Sequence, residues 1–205
     1  MTLMPDRIDV WVVQLDSPGE WPAPTPTESE RAARLVTPDL RRRSLRSHGA
    51  LRAVLKKYTD LPLDFACAEL GKPYLPVLPN LCFNLSHSHE IGLVAVAWGF
   101  EVGVDVERLR PLPECLSIAG RFFPPGELES LLEVPPDARE SEFFRRWTRI
   151  EAVLKARGVG LYAAGSQPEG EWSILPLEVA EGYAGSVAAA RTEISVKLEK
   201  FELGD

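Results

Sequence analysis

Residues 7–15 alternate Ile8, Val10 and Val12 with Asp9, Trp11 and Val13, a two-residue period in β-branched and aromatic side chains that predicts a strand buried in a sheet. The proline-rich stretch Pro18 to Pro26 reads as a loop. Thr37-Pro38-Asp39 then supplies an N-cap, a first-turn proline and an acid near the positive helix end, so a helix is predicted from there to about Tyr58. Leu51, Leu55 and Tyr58 form its apolar side, and arginines occupy its other faces. Leu81–Leu85, Ile91–Trp98 and Val102–Val106 predict three more strands, and Glu171–Leu175, Ala184–Ala189 and Glu193–Glu199 predict three at the end. Phe143, Trp147, Ile150 and Leu154 recur at i, i+4, i+7 and i+11, which predicts a helix from about Ser141 to Arg157, stopped by Gly158. Short strands mixed with long helices, without regular alternation, give an α+β fold class rather than a doubly wound sheet.

Composition narrows this little: 205 residues, 45% hydrophobic and 26% charged, are those of one ordinary globular body. Cys67, Cys82 and Cys115 contain no CxxC pair and suggest neither a disulfide framework nor a zinc knuckle. Met1 to Asp9 lacks an apolar signal core, and the uncharged apolar run Ile91–Phe100 is far short of the roughly 20 residues that span a bilayer. A cytoplasmic protein with no membrane partner is expected. The net charge of −7 argues against nucleic acid as a partner. That charge is uneven, because Arg31 to Lys57 holds nine basic residues against Asp39 alone, either as a solvated helix face or as a site for a polyanionic ligand or partner.

In Val102-Gly103-Val104-Asp105-Val106-Glu107 the valines share one strand face, so Asp105 and Glu107 project together from the other. Carboxylates about 6 to 7 Å apart at Cβ repel one another unless solvated or bridged by a hard cation such as Mg²⁺. On the second long helix Glu151 and Lys155 are four residues apart and share a face, either as an ion pair or as a third carboxylate beside a phosphate-binding lysine. Phe83-Asn84-Leu85-Ser86-His87-Ser88 ends a strand in small polar residues around a histidine, and Gly71-Lys72-Pro73 has the form of a turn. His87 and His89 make a His-x-His pair, but no cysteine or histidine cluster accompanies it to build a zinc site.

Taken in order, Gly71-Lys72-Pro73, Phe83 to Ser88, Gly103 to Glu107 and Trp147 to Lys155 resemble the motifs of the Sfp-type 4′-phosphopantetheinyl transferases. Phe122-Phe123-Pro124-Pro125-Gly126-Glu127 and Gly182-Tyr183-Ala184 resemble two further segments of that family. The resemblance implies a pseudo-twofold monomer of two similar α+β halves, residues 1–100 and 101–205, with coenzyme A and Mg²⁺ in the cleft between them. It implies transfer of 4′-phosphopantetheine to a serine of an acyl or peptidyl carrier protein, with release of 3′,5′-ADP. By motif matching, Asp105, Glu107 and Glu151 are the expected metal ligands, and His87 with Ser86 and Lys155 the expected contacts to coenzyme A phosphates. Gly71, Lys72 and Pro73 are expected at the adenine, and Arg31 and Arg43 at phosphate, with Arg34, Arg42 and Arg46 as alternatives. Glu151, Lys155 and Glu127 are the expected catalytic side chains, the acceptor of the serine proton being Glu151, Glu127 or a metal-bound water. The family often carries a lysine immediately before the helical glutamate, where this chain has Ile150. The rival readings are a non-catalytic coenzyme A or nucleotide-binding module, and a different metal-dependent phosphotransferase built on the same two carboxylates.

Overall fold

The computed structural model describes residues 5–161 and 171–203, so residues 1–4 of the stretch read as lacking a signal core lie outside it. The first predicted strand is β1 (Arg7–Gln14). It pairs antiparallel with the second strand of a hairpin, β4 (Leu81–Ser88) and β5 (Ile91–Trp98), so that Phe83 stands opposite Val96 and Val10 opposite Ala95. Helices α1 (Pro26–Ala33) and α2 (Pro38–Leu55) and a two-stranded ribbon of β2 (Ala66–Cys67) and β3 (Pro73–Tyr74) lie between β1 and β4 in sequence.

The chain then repeats this path. β6 (Val102–Arg108) is followed by α3 (Cys115–Phe122), α4 (Pro125–Leu132) and the long α5 (Pro136–Arg157). After them β7 (Ser173–Leu177) and β8 (Tyr183–Ala189) pair antiparallel, and β8 pairs antiparallel with β6. The last strand, β9 (Ser195–Phe201), leaves this second unit and runs parallel to β1, giving a first sheet ordered β4-β5-β1-β9 and a second ordered β6-β8-β7. A division at residue 100 therefore separates β9 from the sheet it completes.

Burial explains the stacking. Ile8, Val10, Val12, Leu93 and Ala95 of the first sheet pack against Val102, Val104, Val106 and Val187 of the second. Trp11, Val13, Val94 and Phe83 face the other way, onto Ala50, Leu51, Val54 and Leu55 of α2. β1 is buried on both faces, and Asp9 is tolerated there because Arg7 and the Tyr58 hydroxyl bond its two carboxylate oxygens at 2.7 and 2.8 Å. On the outer face of the second sheet, Gly103 lies under α5 with no side chain between them. The opposite end of α5 is anchored by aromatic packing: Phe143 stacks on Phe123 and Trp147 at centroid separations of 5.3 and 5.7 Å. Among the described residues no helix is long and apolar enough to cross a membrane.

All the predicted strands and both long helices are present, and all but β5 have shifted ends. α2 stops at Leu55 and leaves Tyr58 in a turn bonded to Asp9, while α5 starts at Pro136, where proline and Asp137 open a first turn that has no apolar stripe. Three short helices were not expected from the hydrophobic pattern. Each has eight residues, too few for a stripe to repeat, although α1 carries a capping box in which Thr25 and Glu28 bond each other's backbone N–H.

Candidate functional site

Strand β4 is the edge of the first sheet nearest to β6, and alternation turns Asn84, Ser86 and Ser88 toward it. Each meets a partner there. Asn84 Oδ1 accepts from the Val104 N–H at 3.0 Å, Ser86 Oγ donates to Asp105 Oδ1 at 2.8 Å, and Ser88 Oγ donates to Glu107 Oε2 at 3.0 Å. The carboxylate pair predicted from the valine alternation thus projects away from the inter-sheet core, along the seam between the sheets and α5.

From α5, Lys155 reaches into the same seam. Its Nζ donates to Asp105 Oδ1 at 2.6 Å and to Ser86 Oγ at 2.9 Å, joining three of the expected residues directly. Asp105 is 4% exposed, and its second oxygen, Oδ2, is buried with no hydrogen-bond partner. Such an orphan acceptor is costly unless something else is bound to it. Burial foremost, and then the charge of Asp105, push the Glu107 carboxyl above its ordinary range. Glu151 is raised in the same way, by burial and then Asp105, with a smaller contribution from Glu107 and opposition from Lys155. The three carboxylates therefore share one electrostatic environment. They are not closed into a cage: among the described residues no group of three or more His, Cys, Asp or Glu side chains stands at metal-ligand spacing. A divalent cation would meet the orphan oxygen and relieve the mutual repulsion, so the donor set suits a hard, oxygen-seeking ion.

His87 lies on the opposite face of β4 from Ser86 and Ser88. Part of its ring is exposed, but desolvation, and then the positive charge of His48, Lys155 and Arg43, hold it below the ordinary histidine range. Arg31 is exposed on α1 and its guanidinium takes no hydrogen bond or ion pair among the described residues. Arg43 is instead engaged, forked onto Asp16 at 2.5 to 3.1 Å, and Arg42 shares that carboxylate. Arg46 bonds the carbonyls of Leu15 and Ser17.

Gly71, Lys72, Pro73 and Glu127 stand apart from the seam. Lys72 donates to the Ala156 carbonyl at 2.7 Å, near the C-terminus of α5, and to Glu101 at 2.5 Å. It caps a helix end, while Gly71 takes a positive φ of 88° in the turn before it. Pro73 and Lys72 also line a small cavity of about 130 Å³ with Tyr74, Cys82 and Phe83. Glu127 is held by Arg146 at 3.3 Å and contacts none of the three clustered carboxylates.

Comparison with known proteins is decisive about lineage. The chain is 35% identical to the 4′-phosphopantetheinyl transferase HetI of Nostoc sp., over 93% of its own length and 90% of that protein's. It belongs to the 4′-phosphopantetheinyl transferase superfamily. The family model of that superfamily matches residues 101–191, from just before β6 to just past β8. The transferase Sfp of Bacillus subtilis is 29% identical over 82% of this chain and 83% of its own, and the transferase ffp of the same species is 30% identical over 80% and 81%. The superfamily match encloses Asp105, Glu107, Glu151 and Lys155, whereas Ser86 and His87 lie before it.

Sequence reasoning passed over Ser88, Arg110 and Thr148 as site residues. Arg110 Nη1 touches Glu107 Oε2 at 3.4 Å and its guanidinium lies 4.9 Å from the Phe144 ring centre. Thr148 and Ser186 share a hydroxyl–hydroxyl bond of 2.9 Å that fixes α5 on β8. Only Ser88 had a legible signal, the polar alternation Asn84, Ser86, Ser88 in an otherwise apolar strand.

Proposed function

We propose that this protein transfers the 4′-phosphopantetheine group of coenzyme A to a serine hydroxyl of an acyl or peptidyl carrier protein, using Mg²⁺ and releasing 3′,5′-ADP. The observation that carries the reading is the buried union of Asp105, Ser86 and Lys155 beside two carboxylates of raised pKa, within a family whose named members are such transferases. Asp105, Glu107 and Glu151 would hold Mg²⁺, which when bound neutralises charge on pyrophosphate oxygens. Lys155, 29% exposed at its side chain, offers its remaining N–H to the pyrophosphate. His87, neutral in the free protein, takes a proton when a dianionic 3′-phosphate arrives beside it, and Arg31, whose charge acts on His48, adds a second cation on the same side of the fold as His48. The serine oxygen attacks the β-phosphorus, the new Ser–O–P bond forms, and the bridging P–O bond breaks with its electron pair leaving on 3′,5′-ADP. Glu151 accepts the serine proton. It shares the seam with Asp105 and Lys155, whereas Glu127, clamped by Arg146, stands apart from the clustered carboxylates.

The repeated strand–helix–hairpin path supports two α+β halves related by a pseudo-twofold axis, meeting near residue 100 with β9 returning across the boundary. Both walls of the seam come from one chain, which favours a monomer, and coenzyme A as donor favours the cytoplasm. The test is intact-mass analysis of apo carrier proteins incubated with this protein, coenzyme A and Mg²⁺. A gain of about 340 Da that EDTA abolishes is expected. No gain on fatty-acid, polyketide and peptide carriers, with coenzyme A still bound, would instead mark a non-catalytic module.

A further inference from the structure

Ser88 is buried, 9% exposed, on a strand face where an unpaired hydroxyl would be costly. It has one proton to give, and gives it to Glu107 Oε2 at 3.0 Å. Its oxygen in turn accepts the N–H of Arg108 at 3.2 Å. One hydroxyl thus grips both the carboxylate of Glu107 and the peptide that follows it, and it does so from the other sheet. Arg110 approaches the same Oε2 at 3.4 Å, so the donors converge on one oxygen and Oε1 takes no hydrogen bond among the described residues. The neighbouring serine does different work: Ser86 bonds Asp105 and also receives Lys155, and so sits within the cluster, whereas Ser88 touches no cation-binding group except Glu107.

We propose that Ser88 is a positioning residue, which restrains Glu107 through Oε2 and its following peptide so that Oε1 is presented to a divalent cation. The inference rests on the metal reading given above. Partners that orient a metal ligand typically change metal affinity by about 10- to 100-fold when removed. Because Arg110 still contacts Oε2, the lower end of that range is expected here.

The test is titration of the full-length protein with Mn²⁺, followed by electron paramagnetic resonance without coenzyme A, alongside transfer assays over a range of Mg²⁺. S88A should weaken Mn²⁺ about 10-fold and raise the Mg²⁺ needed for half-maximal rate to match, while kcat at saturating Mg²⁺ falls less than threefold. S88T, which keeps the hydroxyl, should recover most of the affinity. In an E107Q background S88A should have no further effect on Mn²⁺ binding, since its influence passes through that carboxylate. If S88A does not fold, S88C, nearly isosteric but a weak donor, replaces it with the same expectation. Wild-type Mn²⁺ affinity in folded S88A or S88C, with only thermal stability reduced, would overturn the proposal. Should E107Q itself bind Mn²⁺ as tightly as the wild type, the metal reading fails, a result distinct from failure of Ser88 alone.

Discussion

Gly103 is the residue on which the geometry of the seam most depends. A Cβ built there would fall well inside 3.0 Å of Ala152 O and Ala156 N and 2.9 Å from Ala156 Cα. All three are backbone atoms of α5, so no side chain can rotate away to make room. To regain ordinary contact α5 must lift from β6 by about 1 Å. Overpacking of this kind costs about 1 to 3 kcal/mol. The intrinsic gain from replacing glycine by alanine, about 0.5 to 1 kcal/mol, is smaller and does not reverse the sign. The midpoints of these ranges leave about 1.25 kcal/mol, and with about 2 to 4 °C per kcal/mol for a chain of this size, Gly103→Ala should lower Tm by about 3 to 5 °C. The functional loss should be larger than the stability loss suggests, because α5 carries Glu151 and Lys155 while β6 carries Asp105 and Glu107. A displacement near 1 Å can cost about 100-fold in rate. Thermal unfolding and carrier-modification kinetics on the same preparation decide it. A G103A protein with Tm within 2 °C of wild type and activity within about threefold would refute the claim that close approach of helix and strand sets this site.

Lys155→Met leaves the buried Asp105 without the ammonium at 2.6 Å, and the metal-free protein should lose about 1 to 3 kcal/mol, discounted for the partial exposure of the lysine. Mg²⁺ should restore part of that loss, as unfolding curves with and without the ion would show; equal destabilisation in both would argue against a cation at Asp105. Asp16 is held down to about 2 from 3.8, chiefly by the hydrogen bond from Arg43, so its contribution is present above pH 3.8 and is lost as pH falls through about 2. Asp16→Asn should therefore destabilise by less than about 1 kcal/mol at pH 7, and the gap from wild type should close in acid unfolding between pH 4 and 2. Arg41 and Arg42 are exposed at the head of α2. If that face recruits acidic carrier proteins, R41E/R42E raises carrier KM more than coenzyme A KM, and equal changes in both would assign the basic charge to the nucleotide.

β1 was legible because its β-branched residues keep a two-residue period, and β5, a continuous apolar run, was bounded to the residue. The direction of Asp105 and Glu107 followed from the same rule, since Val102, Val104 and Val106 had to face the core. What the pattern could not convey is partnership. Nothing local in Glu193 to Glu199 says that this strand crosses back to β1, and nothing near Arg43 announces Asp16, 27 residues away across a proline-rich loop. Lys72 shows the consequence for reading motifs. Gly71-Lys72-Pro73 is expected to line a ligand pocket, and the Lys72 ammonium also reaches the carbonyl of Ala156, 84 residues on, and Glu101 beside β6. One lysine thus ties the ribbon of the first unit to the end of the helix that carries Glu151 and Lys155. A residue can recur in a motif because it holds the site's framework in place, and its chemistry alone does not distinguish that from contact with ligand. The distinction is readable only when the distant carbonyl is on the page: the Lys72 ammonium is already partnered within the chain, by a helix C-terminus and by Glu101, whereas the guanidinium of Arg31 is left to solvent or ligand.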